Sequence, residues 1–245
     1  MPELSIISAN VDSPEWAELL VKSVRKFTSV EHEIIIIDNG SLPKNLKWLE
    51  AQEDVNLIKL STNIGHGGAM DLGTALATFD HICFLDIDAH VQRKDWDSDL
   101  FSLYLSNPLT RLIGVVGPEQ KPLHPPLFFY KKSFVSENNI YFKYVPRLST
   151  DTAQKAYWDI LNLGFKVERL EKGPHIYTCD KHHDEIWLGN PPQATMAHAW
   201  YGTRFCENNP QRKKLALDGY KLEDHLKRKT RFFQESLVLE ILSSS

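Results

Sequence analysis

The chain has 245 residues, of which 42% are hydrophobic and 24% are charged, and its formal net charge is -4. This composition is that of a globular protein with a sizeable core, and it excludes intrinsic disorder and fibrous architectures. Because 28 Lys and Arg stand against 32 Asp and Glu, no overall basic field replaces phosphate counterions, which excludes a general nucleic-acid binder.

Cysteine usage and hydropathy together indicate a cytoplasmic protein. The three cysteines, Cys83, Cys179 and Cys206, are widely spaced and odd in number, which argues against a disulfide framework. No apolar run approaches the roughly 20 residues that cross a bilayer, so we expect no transmembrane segment. The first four residues include an acid and lead into a predicted strand, which does not fit a cleaved signal peptide.

The first ninety residues alternate between strand and helix patterns. Strands are predicted over residues 4–9, 34–37, 55–60 and 81–85, and helices from 14, over 46–51 and over 70–79. This alternation is typical of an α/β protein with a mostly parallel sheet and right-handed crossovers. The four successive isoleucines of 34–37 fit a strand that is covered on both faces.

The pattern is less regular beyond residue 100. Helices are predicted over 96–105 and 152–163, strands over 113–116, 127–130, 140–144 and 165–170, and a closing helix over 222–242. The proline-rich 118–126 and the long 171–212 are predicted to be loops.

Polar residues follow each of the first four strands: Asn10, Asp38, Asn63 and the pair Asp86 and Asp88. The carboxyl ends of parallel strands meet at one edge of a sheet, where ligands bind, so we expect these side chains to form a site. Two carboxylates two residues apart suit Mg²⁺ or Mn²⁺ bridging a diphosphate, because the ion neutralises charge on the leaving phosphates. The alternative is a pair of strand-end acids that cap a helix or face solvent.

A glycine-rich turn over residues 63–68 runs into the third predicted helix. Glycines such as Gly67 let the backbone approach a ligand closely, and a helix N-terminus favours an anion. The turn lacks the Lys of a phosphate-binding P-loop and the spacing of the dinucleotide fingerprint.

Three motifs in this order resemble those of family 2 glycosyltransferases, inverting enzymes of the glycosyltransferase A fold. They are Asp-Asn-Gly-Ser at 38–41, Asn-Ile-Gly followed by Ala-Met-Asp-Leu-Gly within 63–73, and Asp-Ile-Asp at 86–88. Asp71 stands where the family usually has Asn. The resemblance covers about residues 4–170. It implies a Rossmann-like, mostly parallel sheet flanked by helices in one domain, 1–245, with a nucleotide-sugar-binding half (about 1–100) and a C-terminal acceptor-binding half (about 101–245).

The resemblance also implies roles for individual residues. Asp38 would contact the base of the donor, Asp86 would lie near the ribose or a metal-bound water, and Asp88 would ligate the metal. The predicted nucleotide-sugar-binding set comprises Asn10, Asp38, Asn63, Gly67, Asp86 and Ile87. For Asp38 the alternative is a turn-forming acid, since Asp-Asn-Gly is a favoured turn sequence.

Inverting transfer requires a base that takes the proton of the acceptor hydroxyl. In the family this acid begins a helix about a dozen residues before a Gly-aromatic pair, a place that Asp151 occupies ahead of Gly164 and Phe165. The family usually has two adjacent acids here, whereas this chain has one. The alternative is an acid that caps the helix, and one residue can do both.

A late histidine completes the metal site in many enzymes of this fold, and His198 resembles that ligand. His175, His182 and His183 are competitors, and a surface or satisfied-core role is the alternative for each. A structural zinc site is poorly supported, because the sequence has no Cys-x-x-Cys or His-x-x-x-His spacing.

The sequence thus predicts transfer of a sugar from a UDP- or GDP-sugar to a glycan, lipid-linked or protein acceptor, with inversion and with Mn²⁺ or Mg²⁺. Two alternatives are a catalytically inactive sugar- or nucleotide-binding protein on the same fold and a sugar nucleotidyltransferase. The latter would show a basic, glycine-rich signature after the first strand, where residues 8–14 have none. The basic run 227–231 before an apolar stretch predicts peripheral membrane contact, contact with a second subunit, or a packed closing helix.

Overall fold

The structure, a computed structural model, describes residues 2–116, 123–143, 152–170, 183–187, 194–199, 229–230 and 232–244. Its strands are β1 (Glu3–Asn10), β2 (Glu31–Asp38), β3 (Val55–Lys59), β4 (His81–Leu85), β5 (Ala89–Val91), β6 (Thr110–Val116), β7 (Leu123–Lys131), β8 (Lys166–Leu170), β9 (His183–Trp187) and β10 (Ala194–Ala199). Its helices are α1 (Pro14–Phe27), α2 (Lys47–Glu50), α3 (His66–Leu76), α4 (Trp96–Leu105), α5 (Lys132–Glu137), α6 (Gln154–Asn162) and α7 (Ser236–Ser243), with a 3-10 turn at Pro43–Asn45.

The central sheet has the strand order β3-β2-β1-β4-β7-β6-β8. β1 pairs in parallel with β2 and β4, β2 with β3, and β6 with β8, whereas β7 runs antiparallel to both of its neighbours. The predicted α/β class with a mostly parallel sheet flanked by helices is therefore confirmed. The strand order reverses between β1 and β4, which is where sheets of this kind open a crevice for ligands.

The isoleucine run in β2 is divided between the two faces of the sheet. Ile34 and Ile36 belong to one buried cluster, which α1 and α4 cover, and Ile35 and Ile37 belong to a second cluster, to which α3 contributes. All four side chains are at most 2% exposed. Alternation of side chains along a strand produces this division, and it explains why a continuous apolar run forms a stable interior strand here.

The C-terminal part of the chain returns to the N-terminal half. β10 lies between β5 and β9 in a separate three-stranded antiparallel sheet. α7 packs against α1, with Val238 and Ile241 buried, and Lys22 Nζ donates to Leu242 O at 2.6 Å. α7 is the packed closing helix, one of the three alternatives given for the segment. It begins later than predicted, and residues 222–228 lie outside the described residues. Within the described ranges, no helix is long and apolar enough to cross a membrane.

Several predicted elements differ from the structure. α3 begins at His66 rather than at residue 70, so the predicted glycine turn lies partly within the helix. Residues 140–142 form no strand, although Ile140 and Phe142 are buried in the second core cluster. The predicted loop 118–126 overlaps β7, whose prolines coincide with an irregularity in its pairing with β6, a place where a missing N–H is tolerated. The predicted loop 171–212 contains β9 and β10.

Candidate active site

The carboxyl ends of β1 and β2 are joined by polar side chains. Asn10 and Asp38 are register partners, and Asn10 Nδ2 donates to Asp38 Oδ1 at 2.9 Å. The backbone N–H of Ser41 donates to Asp38 Oδ2 at 3.0 Å, and its hydroxyl donates to Oδ1. With these bonds, and only 1% exposed, Asp38 holds the 38–41 turn, which is the alternative given for it. Its predicted contact with the base of a donor stays a prediction.

The connection from β3 to α3 is tied to this turn. Asn63 is exposed, and its Oδ1 accepts a hydrogen bond from Gly65 N at 2.8 Å. Gly65 has a φ of +82°, a conformation that favours glycine. Ile64 N donates to Asn39 Oδ1 at 3.3 Å, which links the loop to the end of β2. The loop is therefore held close to the turn that Asp38 stabilises.

Gly67 lies in the first turn of α3 against the backbone of residues 142–143. A Cβ placed on Gly67 would lie 2.3 Å from Phe142 O and 2.5 Å from Lys143 Cα. Close packing of two backbone segments thus requires glycine at this position. The predicted contact between Gly67 and a donor stays a prediction.

Asp71, the departure from the family pattern, holds the same segment. Its carboxylate accepts hydrogen bonds from Phe142 N at 2.7 Å and Lys143 N at 3.2 Å, one on each oxygen. Burial raises the pKa of Asp71, and these two backbone bonds oppose that rise. An asparagine has one acceptor oxygen instead of two, so this geometry explains why Asp suits the site.

The Asp-Ile-Asp motif forms the turn between β4 and β5. Asp86 N donates to Pro126 O at 3.2 Å, and Ala89 N donates to Asp86 O at 2.9 Å. The side chain of Ile87 is buried in the first core cluster. The predicted contact of Ile87 with the nucleotide-sugar could therefore be made only by its backbone atoms. The side chains of Asp86 and Asp88 are 14% and 7% exposed.

β10 brings His198 to these two carboxylates. His198 is the register partner of Ala89 in β5, the residue that directly follows Asp88. Its Nε2 lies 3.4 Å from Asp88 Oδ1 and 3.5 Å from Asp86 Oδ2. One ligand atom from each residue lies within 4.8 Å of the others, which is an arrangement that could hold a metal ion.

The predicted base, Asp151, lies outside the described residues, and so do the competing His175 and His182. Ala153 is described, and its N–H donates to Phe142 O at 3.2 Å. The chain two residues after the predicted base is therefore tied to the segment that packs on Gly67.

His66 was not singled out by the sequence. It is the first residue of α3, and its Nε2 lies 2.8 Å from Asp86 Oδ1. Its ring meets that of Phe84 edge-on, with centroids 5.0 Å apart. A polar aromatic residue directly after the Asn-Ile-Gly motif was the signal that could have indicated a contact with the site.

The family model for glycosyl transferase family 2 matches residues 5–142, which is more than half of the chain. The chain belongs to this family. Its mostly parallel sheet flanked by helices is that of the glycosyltransferase A fold. The matched range contains the three N-terminal motifs, and it ends before Asp151 and His198. A search of curated proteins by sequence found no significant match.

Solved structures of similar fold include TarS and a mannosyltransferase. Residues 1–349 of S. aureus TarS share 18% identity over 69% of this chain and 58% of that chain, with a TM-score of 0.51. The mannosyltransferase PcManGT from Pyrobaculum calidifontis, in complex with GDP-Man and Mn²⁺, shares 16% identity over 68% of this chain and 54% of that chain, with a TM-score of 0.53. A complex of TarS 1–349 with UDP-GlcNAc matches at 20% identity over 74% and 62% of the two chains, with a TM-score of 0.50.

These similarities show a shared fold. The chain spans less than two thirds of the length of each of these neighbours.

Proposed function

We propose that this glycosyltransferase moves a sugar from a UDP- or GDP-sugar to an acceptor hydroxyl with inversion, and that it uses Mn²⁺ or Mg²⁺. The observation that carries the proposal is the convergence of Asp86, Asp88 and His198 at the carboxyl edge of the sheet. Membership of the family indicates glycosyl transfer. The cluster is the argument that a divalent metal ion binds together with the donor.

The chemistry of the cluster fits such an ion. Two carboxylates and one imidazole are oxygen and nitrogen donors that Mn²⁺ accepts, and Mg²⁺ binds through carboxylates and phosphates. Asp88 and His198 have side chains that are at most 7% exposed, and buried carboxylates are usually paired or bound to a metal. When bound, the ion would neutralise negative charge on the departing diphosphate.

The donor would lie along the ends of β2, β1 and β4. Asn10 and Asp38 are adjacent there, and the residues that complete the proposed donor set are Asn63, Gly67, Asp86 and Ile87. Two neighbouring structures contain GDP-Man and UDP-GlcNAc, and these complexes support a nucleotide-diphosphate sugar as the donor class. On this proposal residues 1–100 bind the donor and residues 101–245 bind the acceptor.

Asp151 is the proposed base. It would take the proton of the acceptor hydroxyl while that oxygen forms a bond to the anomeric carbon, and the bond from that carbon to the diphosphate would break. The hydrogen bond from Ala153 to Phe142 supports this role, because it ties the start of α6 to a segment beside α3. The acceptor would be a glycan, a lipid-linked sugar or a protein, and we propose a cytoplasmic location.

Release of free nucleoside diphosphate tests the proposal. Purified protein is mixed with a panel of UDP- and GDP-sugars and Mn²⁺ or Mg²⁺, with and without EDTA, and Mn²⁺ binding is measured by calorimetry on the same samples. We expect metal-dependent release from one donor, and we expect Asp88→Asn to abolish both release and Mn²⁺ binding.

The matched control is Asp54→Ala, which removes a half-exposed carboxylate that pairs with Arg25 at the surface. This variant should retain both nucleoside diphosphate release and Mn²⁺ binding. If no donor gives either nucleoside diphosphate release or Mn²⁺ binding, the metal-dependent mechanism is refuted. Mn²⁺ binding that Asp88→Asn leaves unchanged would refute the assignment of the metal site.

A further inference from the structure

The two oxygens of Asp86 face different partners. Oδ2 lies 3.5 Å from His198 Nε2, on the side of the cluster that could hold a metal ion. Oδ1 lies 2.8 Å from Nε2 of His66. His66 is not a member of the three-residue cluster that the described part of the chain forms. One oxygen of Asp86 therefore lies on the His198 side of the cluster, and the other is in contact with an imidazole outside the cluster.

The surroundings of His66 restrict the position of its ring. The residue begins α3, directly after Gly65, whose φ of +82° turns the chain into the helix. The ring packs edge-on against Phe84 in β4, two residues before Asp86 on the same segment of chain. The side chain of His66 is 31% exposed, compared with 14% for Asp86. The imidazole is thus held between α3 and β4 with its Nε2 beside the carboxylate.

In the structure the two atoms are in contact but are not aligned as a hydrogen bond. We propose that His66 is a positioning residue for the metal site, which orients Asp86 by turning its Nε2–H onto Oδ1 when the cation binds. A carboxylate offers acceptors alone, so the ring nitrogen must supply the proton of such a bond. With Oδ1 held by His66, Oδ2 of Asp86 is available to ligate the cation. Hydrogen bonds that orient metal ligands are typically worth about 10- to 100-fold in metal affinity. The inference rests on the proposed function, because it presupposes a divalent cation at Asp86, Asp88 and His198.

Mn²⁺ affinity of the full-length protein, measured by calorimetry without any sugar donor, tests this role. We expect His66→Ala to weaken Mn²⁺ binding about 10-fold or more. His66→Gln should stay within about threefold of the parent, because the glutamine Nε2–H can reach the same oxygen. His66→Asn is too short to reach it and should bind as weakly as His66→Ala. The control is His32→Ala, a half-buried histidine at the start of β2 whose Nδ1 lies 2.9 Å from Val30 O, and it should bind Mn²⁺ as the parent does.

The outcomes separate the two proposals. Failure of the parent to bind Mn²⁺ overturns the proposed metal site itself. Binding by the parent that His66→Ala leaves unchanged overturns the role of His66 alone, and so does a His66→Gln variant as weak as His66→Ala. Thermal unfolding of each variant shows whether it is folded, and the comparison of the Gln and Asn variants tests the inference even if the Ala variant is unstable.

Discussion

Substitution of Gly67 by alanine tests the packing of α3 against the 142–143 segment. The added Cβ would lie 2.3 Å from Phe142 O and 2.5 Å from Lys143 Cα, which are distances that real Cβ atoms do not show. Both obstacles are backbone atoms, so a change of rotamer cannot relieve the overlap. The segment is also held by the two bonds to Asp71 and by the bond from Ala153 N to Phe142 O.

The expected cost follows from three contributions. Overpacking of this kind costs about 1–3 kcal/mol, and partial loss of the bonds to the Asp71 carboxylate adds about 1.5–3 kcal/mol. Alanine is the better helix former by roughly 0.5–1 kcal/mol, which offsets a part. We therefore expect Gly67→Ala to lower the free energy of unfolding by about 1.5–5.5 kcal/mol, which corresponds to a decrease in Tm of roughly 3–20 °C for a chain of this size.

Gly68→Ala is the matched control, because Gly68 lies in the same turn of α3. A Cβ at Gly68 would lie 3.4 Å from Ile64 Cγ1, which is close to an ordinary contact with a side chain that can move. Thermal unfolding followed by circular dichroism compares the two variants with the parent. If Gly67→Ala is as stable as Gly68→Ala, the close approach of α3 and the 142–143 segment is not a constraint on the fold.

Two further predictions concern Asp71 and the closing helix. Burial raises the pKa of Asp71 above its ordinary value of 3.8, so the folded state retains this proton to a higher pH than the unfolded chain does. The excess stability of the parent over Asp71→Ala should therefore be greater at about pH 4 than at about pH 7, and urea unfolding that shows the reverse would contradict this. Ile241 is fully buried in α7, so Ile241→Ala should lower the free energy of unfolding by about 2–5 kcal/mol in the same assay. Leu239→Ala, at a half-exposed position of α7, should change the free energy of unfolding by less than about 0.5 kcal/mol.

The sequence predicts the first four strands of the sheet because their information is local. The isoleucine run of β2 and the apolar run of β4 each fill both faces of one strand, and each ends in acids whose position follows from the strand itself. The edge of the sheet that carries Asp38, Asp86 and Asp88 could therefore be predicted without knowledge of the rest of the chain.

The remaining parts of the site depend on contacts between distant segments. The sequence predicts a start of α3 at residue 70, later than observed, because glycine is a poor helix former. Glycine is required at position 67 by the backbone of Phe142, which is far along the chain. The contact of His66 with Asp86 likewise requires the packing of α3 on β4. The placement of His198 rests on the pairing of β10 with β5, and a short strand within a region rich in His, Pro and Gly gives no periodic signal of it.

The pairing of β5 with β10 also has a consequence for the order in which the protein becomes competent. Asp88 and His198 are separated by about 110 residues, so the chain emerging from a ribosome carries both acids long before it carries the imidazole. The N-terminal sheet can form during that interval, since domains fold from the N-terminal side as they are synthesised. The proposed cation site is complete only after β10 has been made and paired. Synthesis itself thereby delays its full assembly until about 110 residues have been added after Asp88.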